Sequence, residues 1–156
     1  MATKRGVLRL ALVLIGVVVS TILGSVTAAA AELGDYRWER RPLLVFAPKD
    51  DDPRLVETLR RVDASRCDFV SRDMVLGVVV AQGNGTLDGQ ALDAGQSRRL
   101  MSQFGIDEDA FGVVLIGKDG GEKWRTNQVP DVRTIYDVVD GMPMRSREMN
   151  ANRGPC

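Results

Sequence analysis

The sequence predicts an α/β fold with a mixed four-stranded sheet, and three features of its apolar pattern support that prediction. Two continuous apolar runs, residues 43–47 and 74–81, have the length and composition of strands buried on both faces. A helical apolar stripe lies between them, and strands joined in this way form a parallel β-α-β unit. A third apolar run at 113–116, a Gly-rich turn and a polar strand at 122–126 predict a terminal antiparallel hairpin.

Helices are expected between and after these strands. Each begins at a residue whose side chain can accept hydrogen bonds from the first turn: Asp52 followed by Pro53, Asp93 with Gln96 three residues on, and Asp131. Residues 82–90 are interpreted as a Gly-rich loop. The order β-α-β-α-β-β-α then places the strands in spatial order 2-1-3-4 with the first strand central, which is the thioredoxin-like architecture.

The first thirty residues predict a cleaved signal peptide. Basic residues at 4, 5 and 9 precede an apolar run at 10–19, and alanines at 28–30 offer a cleavage site. The apolar run is short for a membrane span, which needs about 20 residues, although an uncleaved N-terminal anchor is the alternative. We therefore expect a periplasmic or secreted protein with no membrane attachment after cleavage. A lead-in at 31–41, a domain at 42–144 and a flexible tail at 145–156 would follow.

Charge and composition exclude several classes of function. The chain has 21 basic and 21 acidic residues, and the predicted signal peptide removes three of the basic ones. The mature part is therefore slightly acidic and has no basic stripe, which argues against a nucleic-acid partner. The chain contains no histidine, so Ser-His-Asp and Cys-His catalysis and histidine-ligated metals are excluded. No cofactor is expected.

An ordered set of short motifs carries a family resemblance. The matching positions are Tyr36, Trp38, 41–48 (RPLLVFAP), 52–54 (DPR), 72–76 (RDMVL), 104–105 (FG), 115–121 (LIGKDGG) and 142–145 (MPMR). With these, the chain resembles the exported bacterial family catalogued as domain of unknown function 4174, which is related to a domain of animal secreted proteins that carry sushi repeats and of a coiled-coil-named matrix protein. The resemblance implies a thioredoxin-like fold with a proposed relation to peroxiredoxins, and no established activity.

The chain departs from thioredoxins where their chemistry lies. By this resemblance Asp50 and Pro53 occupy the positions of the two redox cysteines, and Gly112 or Val113 stands where a cis-proline would contact the substrate. Disulfide exchange needs a thiolate at this strand exit. That chemistry is therefore excluded at this site.

The exit of the first strand and the entry of the second are the candidate binding surface. Its residues are Pro48, Lys49, Asp50, Asp52, Arg72 and Asp73. For the acidic run at 50–52, helix capping competes with a calcium or magnesium site, and no metal site is expected because adjacent carboxylates rarely converge on one ion. For Arg72, a local ion pair at the strand start competes with an anchor for an anionic group.

Two cysteines, Cys67 and Cys156, leave three states open. An intramolecular disulfide would close a loop of about 90 residues and stabilise the fold by at most ~4 kcal/mol. An intermolecular disulfide through Cys156 is the second. In the third, Cys67 is an exposed, peroxide-reactive thiol, for which the adjacent Arg66 and Asp68 would pull the pKa in opposite directions.

The sequence therefore favours a binding or accessory module whose partner is an unknown protein or small-molecule ligand. The resemblance to domains of secreted animal proteins supports this by analogy only. The alternative is a one-cysteine peroxide or thiol reductase, similar to peroxiredoxins, that uses Cys67 with Cys156 as resolving partner.

Overall fold

The computed structural model describes residues 32–151. The strands are β1 (Arg41–Lys49), β2 (Met74–Gln82), β3 (Gly85–Leu87), β4 (Gln90–Leu92), β5 (Gly112–Ile116) and β6 (Glu122–Thr126). They form one sheet in the order β4-β3-β2-β1-β5-β6. β1 runs parallel to β2 and antiparallel to β5, and the remaining neighbours pair antiparallel. The predicted α/β class and mixed sheet are confirmed.

A 3-10 turn at Leu33–Tyr36 leads into the sheet. The α-helices are α1 (Pro53–Ala64), α2 (Arg66–Val70), α3 (Ala94–Phe104), α4 (Val132–Asp140) and α5 (Pro143–Ala151). Within residues 32–151, no helix has both the length and the apolar character that a membrane crossing requires. The predicted signal peptide lies outside the described residues.

β1 is the centre of the structure because its apolar residues are buried on both faces of the sheet. Leu43, Val45 and Ala47 pack in a core with residues of α1 and α4, whereas Leu44 and Phe46 pack in a second core with residues of α3. All five are 0 % exposed. Burying a large apolar side chain contributes about 1.5–3 kcal/mol. Side chains that alternate between two apolar layers therefore fix the register of β1.

The helix caps follow the sequence. Asp52 accepts a hydrogen bond from the backbone of Arg54 and precedes Pro53 at the first position of α1. Asp93 and Gln96 form a reciprocal capping box at α3, and Gly105 ends that helix with a φ of 63°. Asp131 accepts a hydrogen bond from the backbone of Arg133 at the start of α4. All three predicted helix starts are confirmed.

The prediction of four strands is wrong, because the sheet has six. The four predicted strands do lie in the order 2-1-3-4, as β2, β1, β5 and β6. The segment interpreted as a loop contributes the extra strands β3 and β4. Asp88 and Gly89 between them have φ values of 51° and 79°, and an Asp-Gly pair with two positive φ angles is a favoured two-residue hairpin turn. Strands of three residues have too few positions to reveal an alternating pattern.

Two helices were also not predicted. α2 occupies Arg66–Val70, and α5 covers Pro143–Ala151, so that residues 145–151 of the predicted tail are helical. Pro143 is the first residue of α5, a position that suits a residue without a backbone N–H. None of the residues of α5 is buried, and the apolar stripe on which helix prediction depends is therefore missing.

Gly77 tests the tightness of the packing across the sheet. A Cβ at this position of β2 would lie 2.5 Å from Cδ2 of Leu44 and 3.1 Å from Cδ1 of Leu87, and both leucines are fully buried.

We expect Gly77→Ala to lower the free energy of unfolding by about 1–3 kcal/mol in urea titrations, because a close-packed core can hold an extra methyl group only by straining its neighbours. The matched control is Gly34→Ala, because a Cβ at Gly34 meets nothing within 4 Å. An equal loss in both variants would contradict this description of the core.

Candidate functional site

Polar side chains gather at the two opposite ends of β1. The strand-exit edge comprises Pro48, Lys49, Asp50, Asp52 and Gly112, at the end of β1 and the start of α1 and β5. The strand-entry edge comprises Arg41, Arg72, Asp73, Lys118 and Glu148, at the start of β1 and β2 and the end of β5. The paired residues run from Arg41↔Met74 to Lys49↔Gln82, so the edges lie about 26 Å apart at about 3.3 Å per residue.

That separation corrects one expectation. Arg72 and Asp73 were grouped with Pro48 in a single contact surface, but the structure places them at the other end of the sheet. The reason is the parallel pairing of β1 with β2, because parallel strands begin at the same edge. The start of β5 does lie at the strand-exit edge, since Gly112 pairs with Phe46.

At the strand-exit edge, Asp52 is satisfied by its own neighbour. Its carboxylate accepts bonds from the backbone N of Arg54 at 2.8 Å and from Nε and Nη2 of the same residue at 3.0 and 2.7 Å. The hydrogen bond from the Arg54 side chain lowers the pKa of Asp52. The guanidinium of Arg54 also lies 5.0 Å from the ring centroid of Phe111. Asp52 is therefore a helix cap and a local ion pair rather than a free base.

Asp50 joins the ends of β1 and β2. Its Oδ2 lies 3.3 Å from the backbone N of Asn84, which donates a hydrogen bond to it. Gly83, the residue before Asn84, has a φ of 116°, and a Cβ at Gly83 would lie 2.5 Å from the carboxylate of Asp50. Because Asp50 and Asp52 turn to different partners, the acidic run does not converge. Residues 32–151 contain no group of three or more acidic, histidine or cysteine side chains that could hold a metal ion.

At the strand-entry edge, Arg41 is a completely buried charge. Its Nη1 and Nη2 donate to Oε2 and Oε1 of Glu148, each at 3.0 Å, and Nη1 also donates to the carbonyl of Arg72 at 2.9 Å. Its Nε is buried and has no hydrogen-bond partner. A paired fork of this kind is a strong charge-assisted interaction. It attaches the first residue of β1 to α5.

Lys118, directly after β5, joins the same cluster. Its Nζ lies 2.7 Å from Oε1 of Glu148 and 2.8 Å from Oδ2 of Asp73. Its side chain is 9 % exposed, and its carbonyl accepts a hydrogen bond from the backbone N of Trp38. Burial alone would raise the pKa of Glu148, but hydrogen bonds from Arg41 and Lys118 outweigh burial and lower it.

Arg72 forms a second layer of this edge. Its guanidinium donates to both carboxylate oxygens of Asp140, at 3.0 and 2.7 Å, and to the carbonyl of Asp68 at 2.8 Å. It also lies 4.6 Å from the ring centroid of Tyr136. Among the described residues its ionic partners are Asp140 and Asp68 rather than the adjacent Asp73. Arg72 is thus engaged with α2 and α4.

Two backbone positions at this end are unusual. Trp38 and Asp73 have φ values of 72° and 52°, a region that residues other than glycine seldom occupy. The side chain of Trp38 is also exposed, at 59 %. Residues held in sparsely populated conformations cluster at ligand-binding and catalytic sites. The strand-entry edge therefore combines buried charge, backbone strain and an exposed aromatic ring.

A cleft of about 240 Å³ opens beside the cluster, lined by Arg41, Lys118, Met142 and Met144 among others. Sequence reasoning identified neither Arg41 nor Lys118 as a site residue, nor Arg145 and Glu148 on α5. The available signal was the position of Arg41, a charged residue at the head of an otherwise apolar strand. Its partners come from positions 72, 73 and 148, and only the tertiary structure relates them to Arg41.

Cys67 lies exposed on α2, at the end of the molecule where β2 begins. It is disulfide-bonded, and its carbonyl accepts a hydrogen bond from the backbone N of Ser71 at 2.9 Å. Cys156 lies outside the described residues, so a Cys67–Cys156 pairing stays a prediction. Cys67 is far from the strand-exit edge, because α2 follows the whole length of α1.

Glu148 provides a stability test with a defined pH dependence. Glu148→Gln removes one partner of a buried ion pair, and we expect it to lower the free energy of unfolding by about 2–3 kcal/mol at pH 7. Because the folded pKa is below the ordinary 4.5, this contribution is complete above about pH 4.5. It disappears as the pH falls through the folded pKa. Urea titrations of both proteins between pH 7 and pH 3 measure it.

The matched control is Glu122→Gln on β6, whose carboxylate pairs with Arg125 at an exposed site. We expect that change to cost under about 1 kcal/mol. A Glu148→Gln effect of the same small size, or one that persists unchanged at pH 3, would show that the buried pair does not stabilise the fold.

Comparisons with known proteins agree with this architecture. Plasmodium vivax 2-Cys peroxiredoxin in its reduced form superposes with a TM-score of 0.59 at 14 % identity, covering 81 % of this chain and 76 % of that one. Plasmodium yoelii thioredoxin peroxidase I gives a TM-score of 0.56 at 18 % identity, covering 81 % and 84 %. At these identities the likeness shows the fold alone. The chain is therefore thioredoxin-like in fold.

The sequence comparisons identify the family. Coiled-coil domain-containing protein 80 of Danio rerio is 26 % identical over 133 residues, which cover 75 % of this chain and 15 % of the relative. The chain thus spans only a small part of that protein. Residues 32–148 match the family described as Domain of unknown function (DUF4174), in agreement with the motifs noted in the sequence. The chain belongs to this family.

Proposed function

We propose that this protein is an exported binding or accessory module rather than a thiol oxidoreductase. The observation that carries the proposal is the chemistry of the strand-exit edge. By alignment with thioredoxins, a thiol would stand at Asp50 or Pro53, and the adjacent Asp52 is held by three hydrogen bonds from Arg54. A redox step at this site needs a thiolate, which a capping carboxylate cannot replace.

The strand-entry edge supports a binding role. It brings Arg41 of β1 and Lys118 after β5 together with Glu148 of α5, and the two cations line a cleft. A cleft with a few converging polar groups is the usual form of a small binding site. The charged groups there are paired with one another and none is placed as a nucleophile.

A one-cysteine peroxide or thiol reductase is the second candidate. In its favour, Cys67 is exposed and the fold is similar to that of solved structures named 2-Cys peroxiredoxin and thioredoxin peroxidase. Because Cys67 is disulfide-bonded, the cycle would begin with its reduction by a dithiol donor. The Cys67 thiolate would then attack the peroxide, release water and become a sulfenic acid, and the Cys156 thiol would displace a second water to form a disulfide again. Against it, Cys67 lies on α2 and not at the exit of β1.

Peroxide turnover separates the two candidates. We expect the wild type, given dithiothreitol as electron donor, to consume hydrogen peroxide no faster than Cys67→Ser does. The matched control is Ser71→Ala, an exposed change at the end of α2 that removes no sulfur. Intact mass before and after one equivalent of peroxide follows the protein itself. Turnover that requires Cys67, or a peroxide-driven oxygen adduct on it, would establish the reductase instead.

Export is tested at the N-terminus. We expect the full chain expressed in a bacterial host to appear in the periplasm or the medium, starting near residue 31, because residues 1–30 have the three regions of a signal peptide. N-terminal sequencing measures the start. Leu14→Arg interrupts the apolar run and should retain the precursor in the cytoplasm. Export of the wild type with residues 1–30 intact would instead support the uncleaved anchor.

A further inference from the structure

We propose that Arg41 and Lys118 form a receptor for a glutamate carboxylate of an acidic protein segment, and that α5 closes this receptor by placing Glu148 in it. The inference rests on the proposed binding role and adds a class of partner to it. In the state described by the structure, the receptor is filled from within the same chain by a side chain of the chemistry that it would recognise.

The first argument is the burial of the two cations. Arg41 is 0 % and Lys118 9 % exposed, and burying an ammonium or guanidinium group costs several kcal/mol unless its partners are well placed. A buried ion pair of this kind is often no more stabilising than apolar residues of similar volume. Stability alone is therefore a weak reason for two buried cations, and recognition of an anion is a stronger one.

The second argument is the attachment of α5. Among its described side-chain contacts, Glu148 binds Arg41 and Lys118, while Arg145 binds the carboxylate of Asp140 and the carbonyl of Ser71. No residue of α5 is buried, whereas α4 buries Ile135, Tyr136 and Val139. Elements that bury little apolar surface open at low free energy. A departure of α5 would therefore not open either core.

The third argument is what the departure of α5 uncovers. Without Glu148, Arg41 and Lys118 keep one shared carboxylate, that of Asp73, at 4.0 Å from Nη1 and 2.8 Å from Nζ. Two cations then face one anion, and the guanidinium fork is ready for a bidentate carboxylate. The Nε of Arg41, which has no partner in the closed state, is a further donor. The open edge would bind an incoming carboxylate in the position of Glu148.

The surroundings favour a glutamate within a peptide. The cleft beside Arg41 and Lys118 is also lined by Met142 and Met144, and methionine side chains adapt to varied apolar groups. The backbone N of Trp38 donates a hydrogen bond to the carbonyl of Lys118, so the segment before β1 runs beside the same cluster. A glutamate flanked by apolar side chains would use both the ionic and the apolar parts of this edge.

Competition from within the chain predicts how the variants differ. A tethered group acts at an effective concentration in the millimolar range, so Glu148 keeps the wild-type receptor mostly closed. The apparent dissociation constant equals the intrinsic one divided by the open fraction. A change that weakens the attachment of α5 should therefore tighten binding of an external carboxylate.

The experiment uses a fluorescein-labelled hexapeptide of alternating leucine and glutamate, followed by fluorescence anisotropy at low salt with the full-length protein. We expect Glu148→Gln to bind the peptide at least ten-fold more tightly than the wild type does. The double variant Glu148→Gln/Lys118→Gln should bind it no more tightly than the wild type. Glu122→Gln is the matched control and should bind as the wild type. A peptide with glutamine in place of glutamate should not bind.

Since Glu148→Gln also removes a stabilising pair, Arg145→Ala is the second variant. It removes the bonds from α5 to Asp140 and Ser71, and an Arg145–Glu148 contact of 3.7 Å within α5, but it retains the side chains of Arg41, Lys118 and Glu148. We expect it to tighten binding at least three-fold. Far-UV circular dichroism checks that each variant is folded. Unchanged binding in folded Arg145→Ala, or equal binding of the glutamine peptide, would overturn the proposal. Competition by glutarate as effective as that of the unlabelled peptide would overturn the assignment to a protein segment.

The failure of this inference is distinguishable from that of the proposed function. If the peptide does not bind, and the wild type consumes peroxide no faster than Cys67→Ser does, the receptor proposal is wrong but the binding role still stands. Peroxide turnover that requires Cys67 would sink the binding role itself.

Discussion

The structure depends on the burial of β1 on both of its faces. A strand between two apolar layers, paired on both edges with β2 and β5, has no exposed side along its middle. Its polar neighbours can reach solvent only at its two ends. The five central residues of β1 are 0 % exposed, and the charged groups around the strand lie before Leu43 or after Ala47. A polar site that uses residues of β1 is therefore restricted to those two ends.

The two ends satisfy their charges in different ways. At the strand-exit edge the pairing is local, because Asp52 binds Arg54 two residues later in the same helix start. At the strand-entry edge it is long-range, because Arg41 binds Glu148, which is 107 positions away in sequence. A local pair forms whenever the helix forms and reports little about its surroundings. A long-range pair depends on a separate element staying in place, so it can respond when that element moves.

The sequence carried enough information for the larger elements and too little for the strand-entry edge. Strands with continuous apolar residues and helices with Asp caps were predictable, because their signals are local: Asp52, Asp93 and Asp131 each act within their own helix. The sheet extension was not, since β3 and β4 have three residues each. α5 was not either, because an element held by ions lacks the apolar stripe that marks a helix in sequence.

The same reasoning explains why Arg72 was predicted as a site residue and Arg41 was not. Arg72 with Asp73 forms a charged dipeptide before an apolar run, which is visible in sequence, yet its partner Asp140 is on α4. Arg41 precedes Pro42 at the head of β1 and resembles the end of a polar lead-in. Its burial depends on tertiary contacts, among them those with Glu148 of α5 and with Arg72 and Asp73. The sequence shows which charged residues stand next to a strand, but tertiary packing determines which of them is buried.

The two ends of β1 also differ in how far the stability of the fold depends on their charged residues. At the strand-exit edge, Asp52 caps α1 and Asp50 accepts a hydrogen bond from the backbone of Asn84, so the fold is held there without a cysteine. At the strand-entry edge, Arg41 cannot lose Glu148 without leaving a buried charge partly unpaired, unless another carboxylate takes the same position. The charge pairing is therefore local at one end, whereas at the other a buried cation depends on a carboxylate from a distant element. The binding role that we propose accordingly belongs to the strand-entry edge, where a buried charge depends on a partner from another element.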